Sequence, residues 1–224
     1  PQKAREYFLK AAALDPDEEE ALMGALRADQ YDLRFDRVAT GLEEMLRCRP
    51  NRHSWRRILI GMYSLLEQFD RAVGIATEQE ARTDLDGARR AEYREALVDS
   101  LKEAGRRDEA IERLKAWAAE DGDGKEWTQR LALEYVRQRR HHDAVKVYES
   151  LHEFAPDNRT IRDRLLDALQ ETRQDVRAEQ YLVRWFAEDP QNDRLILALA
   201  HIISRAGRVD ESIELINTWL LRTT

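Results

Sequence analysis

Apolar positions along the chain follow the 3.6-residue spacing of amphipathic helices, in pairs of stripes that recur about every 34 residues. One stripe starts at a small or β-branched residue and continues with mostly apolar residues four and seven positions later. These starting residues recur at steps of 34, 34, 38, 34, 34 and 34: Ala4, Val38, Ala72, Ala110, Ala144, Ala178 and Ser212. An earlier stripe lies thirteen, twelve and nine residues before each of them, as in Leu165, Leu166 and Leu169. The pattern predicts two amphipathic helices per period in a chain of tandem repeats.

The connection between the two helices of a period is short, which makes them pack antiparallel. Gly105 and Gly207 stand five residues before a starting residue, where a left-handed glycine would end the first helix. Asp36 and Asp70 stand two residues before one. We expect these carboxylates to accept the free amides at the start of the second helix.

Four of the five prolines share one register, twelve residues after a starting residue: Pro16, Pro50, Pro156 and Pro190. The pattern resembles the tetratricopeptide repeat family in its 34-residue period, in these prolines and in the apolar or aromatic residue four positions after the starting residue, as in Phe8 and Tyr148. The resemblance implies an all-α, right-handed superhelical solenoid of antiparallel helix pairs. It divides the chain into a half repeat at 1–17 and six repeats at 18–52, 53–88, 89–124, 125–158, 159–192 and 193–224.

Three features depart from the family pattern, the first being a large apolar residue, such as Ile60 or Leu166, at a first-helix position where the family has a small one. Tryptophan replaces the usual alanine seven residues after the starting residue, at Trp117, Trp185 and Trp219, and we expect these rings to wedge between successive repeats. Four extra residues lie within 81–90. They form either a lengthened helix end or loop, or a flap that lines the groove.

Composition then narrows the class of protein. The 224 residues include 36% charged residues with a net charge of -7, and the mean hydropathy is -0.72. We therefore expect no insertion into a membrane and no attraction to nucleic acid, which also disfavours the RNA-reading 35-residue helical repeats. Cys48 is the only cysteine, so an internal disulfide is excluded. The chain begins at Pro1 without a secretion signal and reads as a fragment of a longer bacterial protein, which leaves its compartment open between the slightly favoured cytoplasm and the periplasm.

In the resembled family the first helix of each repeat lines a concave groove, and the resemblance implies that a partner binds there. The exposed first-helix positions then define twelve candidate contact residues: Arg57, Glu95, Asp99, Lys102, Gln129, Leu133, Val136, Asp163, Asp167, Arg194, Leu197 and His201. The carboxylates cluster in two repeats, with an apolar strip at Leu133 and Val136 between them. Two interpretations stay open: a groove for a polypeptide with basic residues flanking an apolar anchor, or a merely solvated helix face.

Signals for catalysis are absent from the sequence. It contains no glycine-rich phosphate loop and no GxSxG, HExxH or CxxC motif. His141 and His142 are adjacent, so their rings cannot share one helix face as zinc ligands would. We expect no enzyme, no metal site and no cofactor.

The sequence thus predicts a non-catalytic scaffold for protein binding. One alternative is an accessory region of a larger enzyme or of an export or assembly machine. Another is a self-association module. In the latter, Leu215, Trp219 and Leu220 would form an exposed apolar end through which copies associate.

Overall fold

A computed structural model describes residues 3, 6, 10, 19–120, 122 and 125–223. The half repeat at 1–17, with its Ala4, Phe8 and Pro16, lies almost entirely outside them. Within this part of the chain the structure is helical without strands. Its helices are α1 (Glu19–Tyr31), α2 (Phe35–Cys48), α3 (His53–Leu65), α4 (Phe69–Glu80), α5 (Gly87–Glu103), α6 (Arg107–Ala119), α7 (Glu126–Arg137), α8 (His141–Phe154), α9 (Arg159–Glu171), α10 (Asp175–Glu188), α11 (Asp193–Arg205) and α12 (Val209–Thr223).

The helices form two compact units, residues 1–113 and 114–224, which divide within α6. Odd-numbered helices are the first helices of the pairs, and even-numbered helices are the second. In unit 1, α3 packs on both α2 and α4; in unit 2, α9 packs on α8 and α10, and α11 on α10 and α12. A first helix is thus held between the second helix of its own pair and that of the preceding pair. This is the stacking of tandem helical repeats, in which burial between neighbours supplies the stability.

The core consists of the two stripes that the sequence predicts. Leu165 and Leu169 of α9, and Ala178 and Leu182 of α10, have no exposed surface. Burying a leucine side chain contributes about 1.5–3 kcal/mol. Trp117 and Trp185 are 4% and 2% exposed, so the prediction of core tryptophans is confirmed at these two positions.

The turns between paired helices use a left-handed residue five positions before the starting residue. Gly105 and Gly207 have φ of 74° and 84°, which confirms their predicted role. After Gly105, the amide of Arg106 donates back to the carbonyl of Leu101 at 2.8 Å, closing the end of α5. Four other turns between paired helices have a residue that is not glycine in this conformation at the same position: Leu33 (φ 58°), Glu67 (56°), Arg139 (56°) and Arg173 (54°).

The prediction of aspartate caps is wrong for α2 and α4. Their N-cap residues are Arg34 and Gln68, neither of which makes a side-chain cap hydrogen bond. Asp36 and Asp70 lie two residues further in, within the first turn. There a carboxylate still interacts favourably with the positive end of the helix dipole.

The four extra residues in 81–90 form an anchored loop and a long helix. Residues 81–86 connect α4 to the 17-residue α5, whose start is capped by the Asp86 carboxylate, accepting from the Arg89 amide at 2.7 Å. Leu85 is 6% exposed, and the Arg90 guanidinium donates to the carbonyl of Arg82 at 3.2 Å. The loop is thus fixed to the start of α5, as in the first of the two interpretations.

Candidate partner-binding face

All twelve candidate contact residues lie on first helices, and none of their side chains is buried. Arg57, Asp99, Gln129, Asp163, Asp167, Arg194, Leu197 and His201 are exposed, and Glu95, Lys102, Leu133 and Val136 are half-buried. Four of them lie on α3 and α5 in unit 1, and eight on α7, α9 and α11 in unit 2. We call these two sets the unit 1 face and the unit 2 face.

Charges on the unit 1 face are largely compensated within the chain. Arg57 of α3 forms a salt bridge with Glu92 of α5 at 3.0 Å, and Lys102 bonds Asp99 at the same distance. The two first helices contact each other directly, with the His53 and Tyr93 rings 6.2 Å apart in an edge-to-face arrangement. This face therefore offers a partner little unpaired charge.

On the unit 2 face, in contrast, a row of acidic side chains has no basic partners in salt bridges within the described ranges. Asp163, Asp167 and Glu171 follow one another at four-residue intervals along α9, which places them on one side of the helix. In the described part of the chain none of the three forms a salt bridge. Partial burial, followed by the nearby Asp163 charge, raises the pKa of Asp167, while Arg164 opposes this shift. The face thus carries a carboxylate row whose mutual repulsion is not offset by ion pairs.

Apolar positions lie on the first helices that precede and follow α9. On α7 the half-buried Leu133 and Val136 follow the exposed Gln129. On α11 Leu197 is 56% exposed and lies between Arg194 and His201. Acidic and apolar groups therefore occupy equivalent positions on successive first helices, which suits an amphipathic polypeptide ligand.

The sequence analysis missed a set of charged links between second helices. Glu43 of α2 accepts from Arg71 of α4, and Glu149 of α8 accepts from Arg177 of α10, each pair 28 residues apart. The hydroxyl of Tyr63 also donates to Glu43, and its burial and this bond raise the tyrosine pKa to about 12. The repeated register is visible in the sequence, but only the packing shows that it joins neighbouring repeats.

Of the three residues predicted to form an apolar end, only one is exposed rather than half-buried. Leu220 is 46% exposed, whereas Leu215 and Trp219 are half-buried. The Trp219 indole donates to the carbonyl of Pro190 at 3.0 Å. Beside them lies a cleft of about 210 Å³, lined by Phe186, Pro190, Gln191, Ile196, Leu215, Thr218 and Trp219.

The histidines and carboxylates do not form a metal site in the described ranges. Among the described residues, no three His, Cys, Asp or Glu side chains are grouped to hold a metal ion. His141 and His142 are the first two residues of α8. No helix in the described ranges is long and apolar enough to cross a membrane.

Comparison with known proteins shows similarity at the level of structure. No family model and no curated protein matches the sequence. A chain in the structure of Naa15/Naa10 bound to HypK-THB is 17% identical over 90% of this chain, with a TM-score of 0.64; this chain spans 31% of that one. A tetratricopeptide repeat protein from Parabacteroides merdae (13% identity, 98% of this chain and 80% of that one, TM-score 0.48) and MamA AMB-1 (20% identity, 75% and 90%, TM-score 0.49) are also similar. Antiparallel helix pairs at a 34-residue period, stacked first helix on second, give the chain the helical-repeat fold of tetratricopeptide repeat proteins.

Proposed function

We propose that the chain is a non-catalytic scaffold whose unit 2 face binds a protein segment with basic residues flanking an apolar anchor. The observation that carries this proposal is the row of Asp163, Asp167 and Glu171, which no ion pair offsets in the described part of the chain. Elsewhere, as at Arg57 and Glu92, the chain pairs its own first-helix charges.

The carboxylate row is unfavourable in the free chain. Like charges four residues apart destabilise a helix by about 0.2–0.5 kcal/mol per pair. The raised pKa of Asp167 reports the same conflict, because burial and Asp163 both disfavour its charged form. A lysine or arginine of a partner offsets the repulsion between the carboxylates and adds its own attraction to them. Both effects favour binding.

The apolar positions supply the second half of the recognition. Leu197 is exposed over more than half of its surface, and Leu133 and Val136 are open in part. A partner that places an apolar side chain against one of these helices gains roughly 25 cal/mol per Å² of apolar surface buried. Basic residues on either side then fix its register on α9.

The same binding activity would serve an accessory region of a larger enzyme or assembly machine. The chain spans 31% of the similar chain in the structure of Naa15/Naa10 bound to HypK-THB. Catalysis by this chain itself is not part of the proposal. The carboxylates of the unit 2 face are exposed, and within the described ranges no hydrogen-bond partner orients the His201 ring.

The test is a binding titration with labelled peptides that carry lysine and arginine on both sides of a leucine. Wild-type chain is compared with a Asp163→Lys, Asp167→Lys variant and with a control, Glu153→Lys, Glu214→Lys, which has the same net charge change on exposed second-helix positions. Exposed charge pairs contribute about 0.2–1 kcal/mol each, so reversing two of them weakens binding roughly tenfold.

The control separates the unit 2 face from the net charge of the chain. If both variants lose affinity equally, the attraction is long-range and the proposed face is not the site. If the Asp163→Lys, Asp167→Lys variant binds as wild type does, the carboxylate row does not recognise the partner. An Asp99→Lys, Asp167→Lys variant extends the test to unit 1, where we expect the added change to matter less because Asp99 is already paired with Lys102.

A further inference from the structure

A pocket of about 310 Å³ lies among α2, α3 and α4 in unit 1, with two arginines in its wall, Arg47 and Arg56. We call it the Arg56 pocket. Its helices are enclosed by further described helices, since α1 packs on α2 and α5 packs on α4. The pocket therefore lies between successive helix pairs and not at an end of the chain. None of the twelve candidate contact residues lines it.

Arg56 is a half-buried cation that the chain itself does not pair. Its Nη1 atom is buried and has no hydrogen-bond partner, and among the described residues its guanidinium forms no salt bridge. Removing part of a charged group from water without a compensating partner is unfavourable. The Arg56 guanidinium is therefore a donor that lacks an acceptor.

Two other first helices carry an arginine at the same register position, sixteen residues before the starting residue, and both of these are paired. Arg94 of α5 bonds Glu80 of α4 at 3.1 Å, with both side chains 14% exposed. Arg162 of α9 bonds Glu188 of α10 at 2.7 Å. At this register position, a carboxylate of an adjacent second helix is thus the usual partner of the arginine.

The corresponding carboxylates are missing beside Arg56. Glu80 stands eight residues after a starting residue, and Glu188 stands ten residues after one. The residues at these two register positions on either side of α3 are Leu46 and Arg82. The repeat has kept the arginine and lost both acidic partners, which leaves a place for a carboxylate from outside the chain.

The other charges of the pocket leave it short of negative charge. Arg47 is exposed and forms no ion pair in the described ranges. Of the two acidic residues in the wall, Glu43 already accepts from Arg71, and Glu78 forms no salt bridge in this part of the chain. Two unpaired guanidinium groups thus face one unpaired carboxylate.

We propose that the Arg56 pocket binds a carboxylate of a partner protein, from an acidic side chain or from a chain end. A guanidinium binds a carboxylate through two parallel hydrogen bonds, and this geometry would satisfy the buried Nη1 atom. Leu46, Leu59 and Ile75 also line the pocket and suit an apolar residue next to that carboxylate. The pocket is separate from the carboxylate row of α9, so the proposal does not depend on the proposed function.

The probe is a Ser-Leu-Glu-Leu-Ser peptide, acetylated and amidated so that glutamate supplies its single carboxylate. It is titrated into the 224-residue chain labelled with ¹⁵N-arginine, and the arginine Nε–Hε signals are followed by NMR. We expect the Arg56 signal to shift on binding. We also expect at least about tenfold weaker binding of the same peptide with glutamine in place of glutamate, and of the original peptide by the Arg56→Gln chain.

Two further chains make the result specific. Arg37→Gln removes the same charge from an exposed position of α2 outside the pocket, and it should bind as wild type does. Leu46→Glu places a carboxylate at the register position of Glu80, so it should pair with Arg56 and weaken peptide binding at least about tenfold.

Urea unfolding tests the unpaired state of Arg56 without any ligand. Arg94→Gln breaks the pair with Glu80 and should lower the urea midpoint, whereas Arg56→Gln removes a cation without a partner and should not lower it. An equal loss in the two variants would show that the chain already satisfies Arg56 and would overturn the proposal.

The binding experiment can overturn it as well. No binding of the glutamate peptide at about 10 mM, or equal weakening by Arg37→Gln and Arg56→Gln, does so. Displacement of the peptide by inorganic phosphate, at a concentration where acetate has no effect, also contradicts a carboxylate site. A glutamine peptide with a free carboxyl terminus that binds more tightly than the glutamate peptide supports the proposal and assigns the carboxylate to a chain end. Binding retained by the Asp163→Lys, Asp167→Lys chain supports a site distinct from the unit 2 face.

Discussion

Arg139→Gly and Arg173→Gly are expected to stabilise unit 2, although each removes a whole side chain. Both residues end a first helix in the left-handed conformation, with φ of 56° and 54°. Both side chains are exposed, and neither makes a hydrogen bond or ion pair in the described part of the chain. The substitutions therefore change the backbone strain and little else.

The magnitude follows from two opposing terms. The left-handed conformation costs a residue with a Cβ atom about 1–2 kcal/mol. Glycine avoids this cost but loses about 0.5–1 kcal/mol more backbone entropy on folding. Each substitution should therefore stabilise by about 0.5–1 kcal/mol, and the double variant by roughly 1–2 kcal/mol if the two turns act independently.

Two further variants test whether the backbone conformation decides the direction of the stability change. Gly207→Ala places a Cβ atom at φ 84°, with no neighbouring atom within 4 Å, so it should destabilise by about 1 kcal/mol through strain alone. Arg184→Gly makes the same chemical change as Arg139→Gly in the interior of α10 and should also cost about 1 kcal/mol.

Urea unfolding followed by circular dichroism measures these differences, with unchanged slopes confirming that only stability has altered. The reasoning is refuted if Arg139→Gly and Arg173→Gly destabilise as Arg184→Gly does. That result would mean that the two turns are right-handed, and that the register of the helix pairs has been misassigned.

Three other predictions address the core, pH dependence and the carboxylate row. Leu165→Ala should lower the free energy of unfolding in urea by about 2–5 kcal/mol because the leucine side chain is fully buried, while Val183→Ala, at a half-exposed position, should change it by about 0.5 kcal/mol at most. Similar losses in the two variants would show that Leu165 does not lie in the core. Burial lowers the pKa of His53 and His152 in the folded chain, so the free energy of unfolding should be at its full value above the ordinary pKa of 6.5 and should fall as the pH drops below it. His152→Phe should make this dependence on pH less steep. A free energy of unfolding that depends on pH in the same way in both chains would disprove the prediction. Asp167→Asn should stabilise the chain by about 0.2–0.5 kcal/mol while weakening binding of the basic peptides; a variant that loses stability would show that the carboxylate is already satisfied.

The regular parts of the fold could be predicted from the sequence because the repeat is encoded in apolar spacing. The stripes around Leu165 and Ala178 mark helices whose partners lie next to them in the chain. Local patterns therefore suffice for the helix pairs. Gly105 and Gly207 likewise predict the turns in which they lie, since glycine takes the left-handed conformation without strain.

The other turns carry no such signal. At Glu67 the helix still ends in the left-handed conformation, and the amide of Gln68 donates back to the carbonyl of Tyr63 at 2.8 Å. This hydrogen bond and the packing of the two helices hold the turn against the local preference of glutamate. A propensity argument cannot weigh that tertiary contribution.

The candidate face was predictable in position but not in charge balance. The register places Arg57 and Asp99 on exposed first-helix positions, as observed. Their pairing with Glu92 and Lys102 depends on the distance between side chains on and across helices, which the pattern does not contain. Glu171 extends the carboxylate row and was missed because the prediction sampled fixed register positions rather than the whole face.

The most direct test of the account is selection of a random peptide library on the immobilised chain, repeated with the Asp163→Lys, Asp167→Lys variant. The account predicts enrichment of peptides with lysine or arginine on both sides of an apolar residue, and loss of that enrichment on the variant. Enrichment of acidic peptides, or the same basic peptides selected equally by both chains, would contradict it.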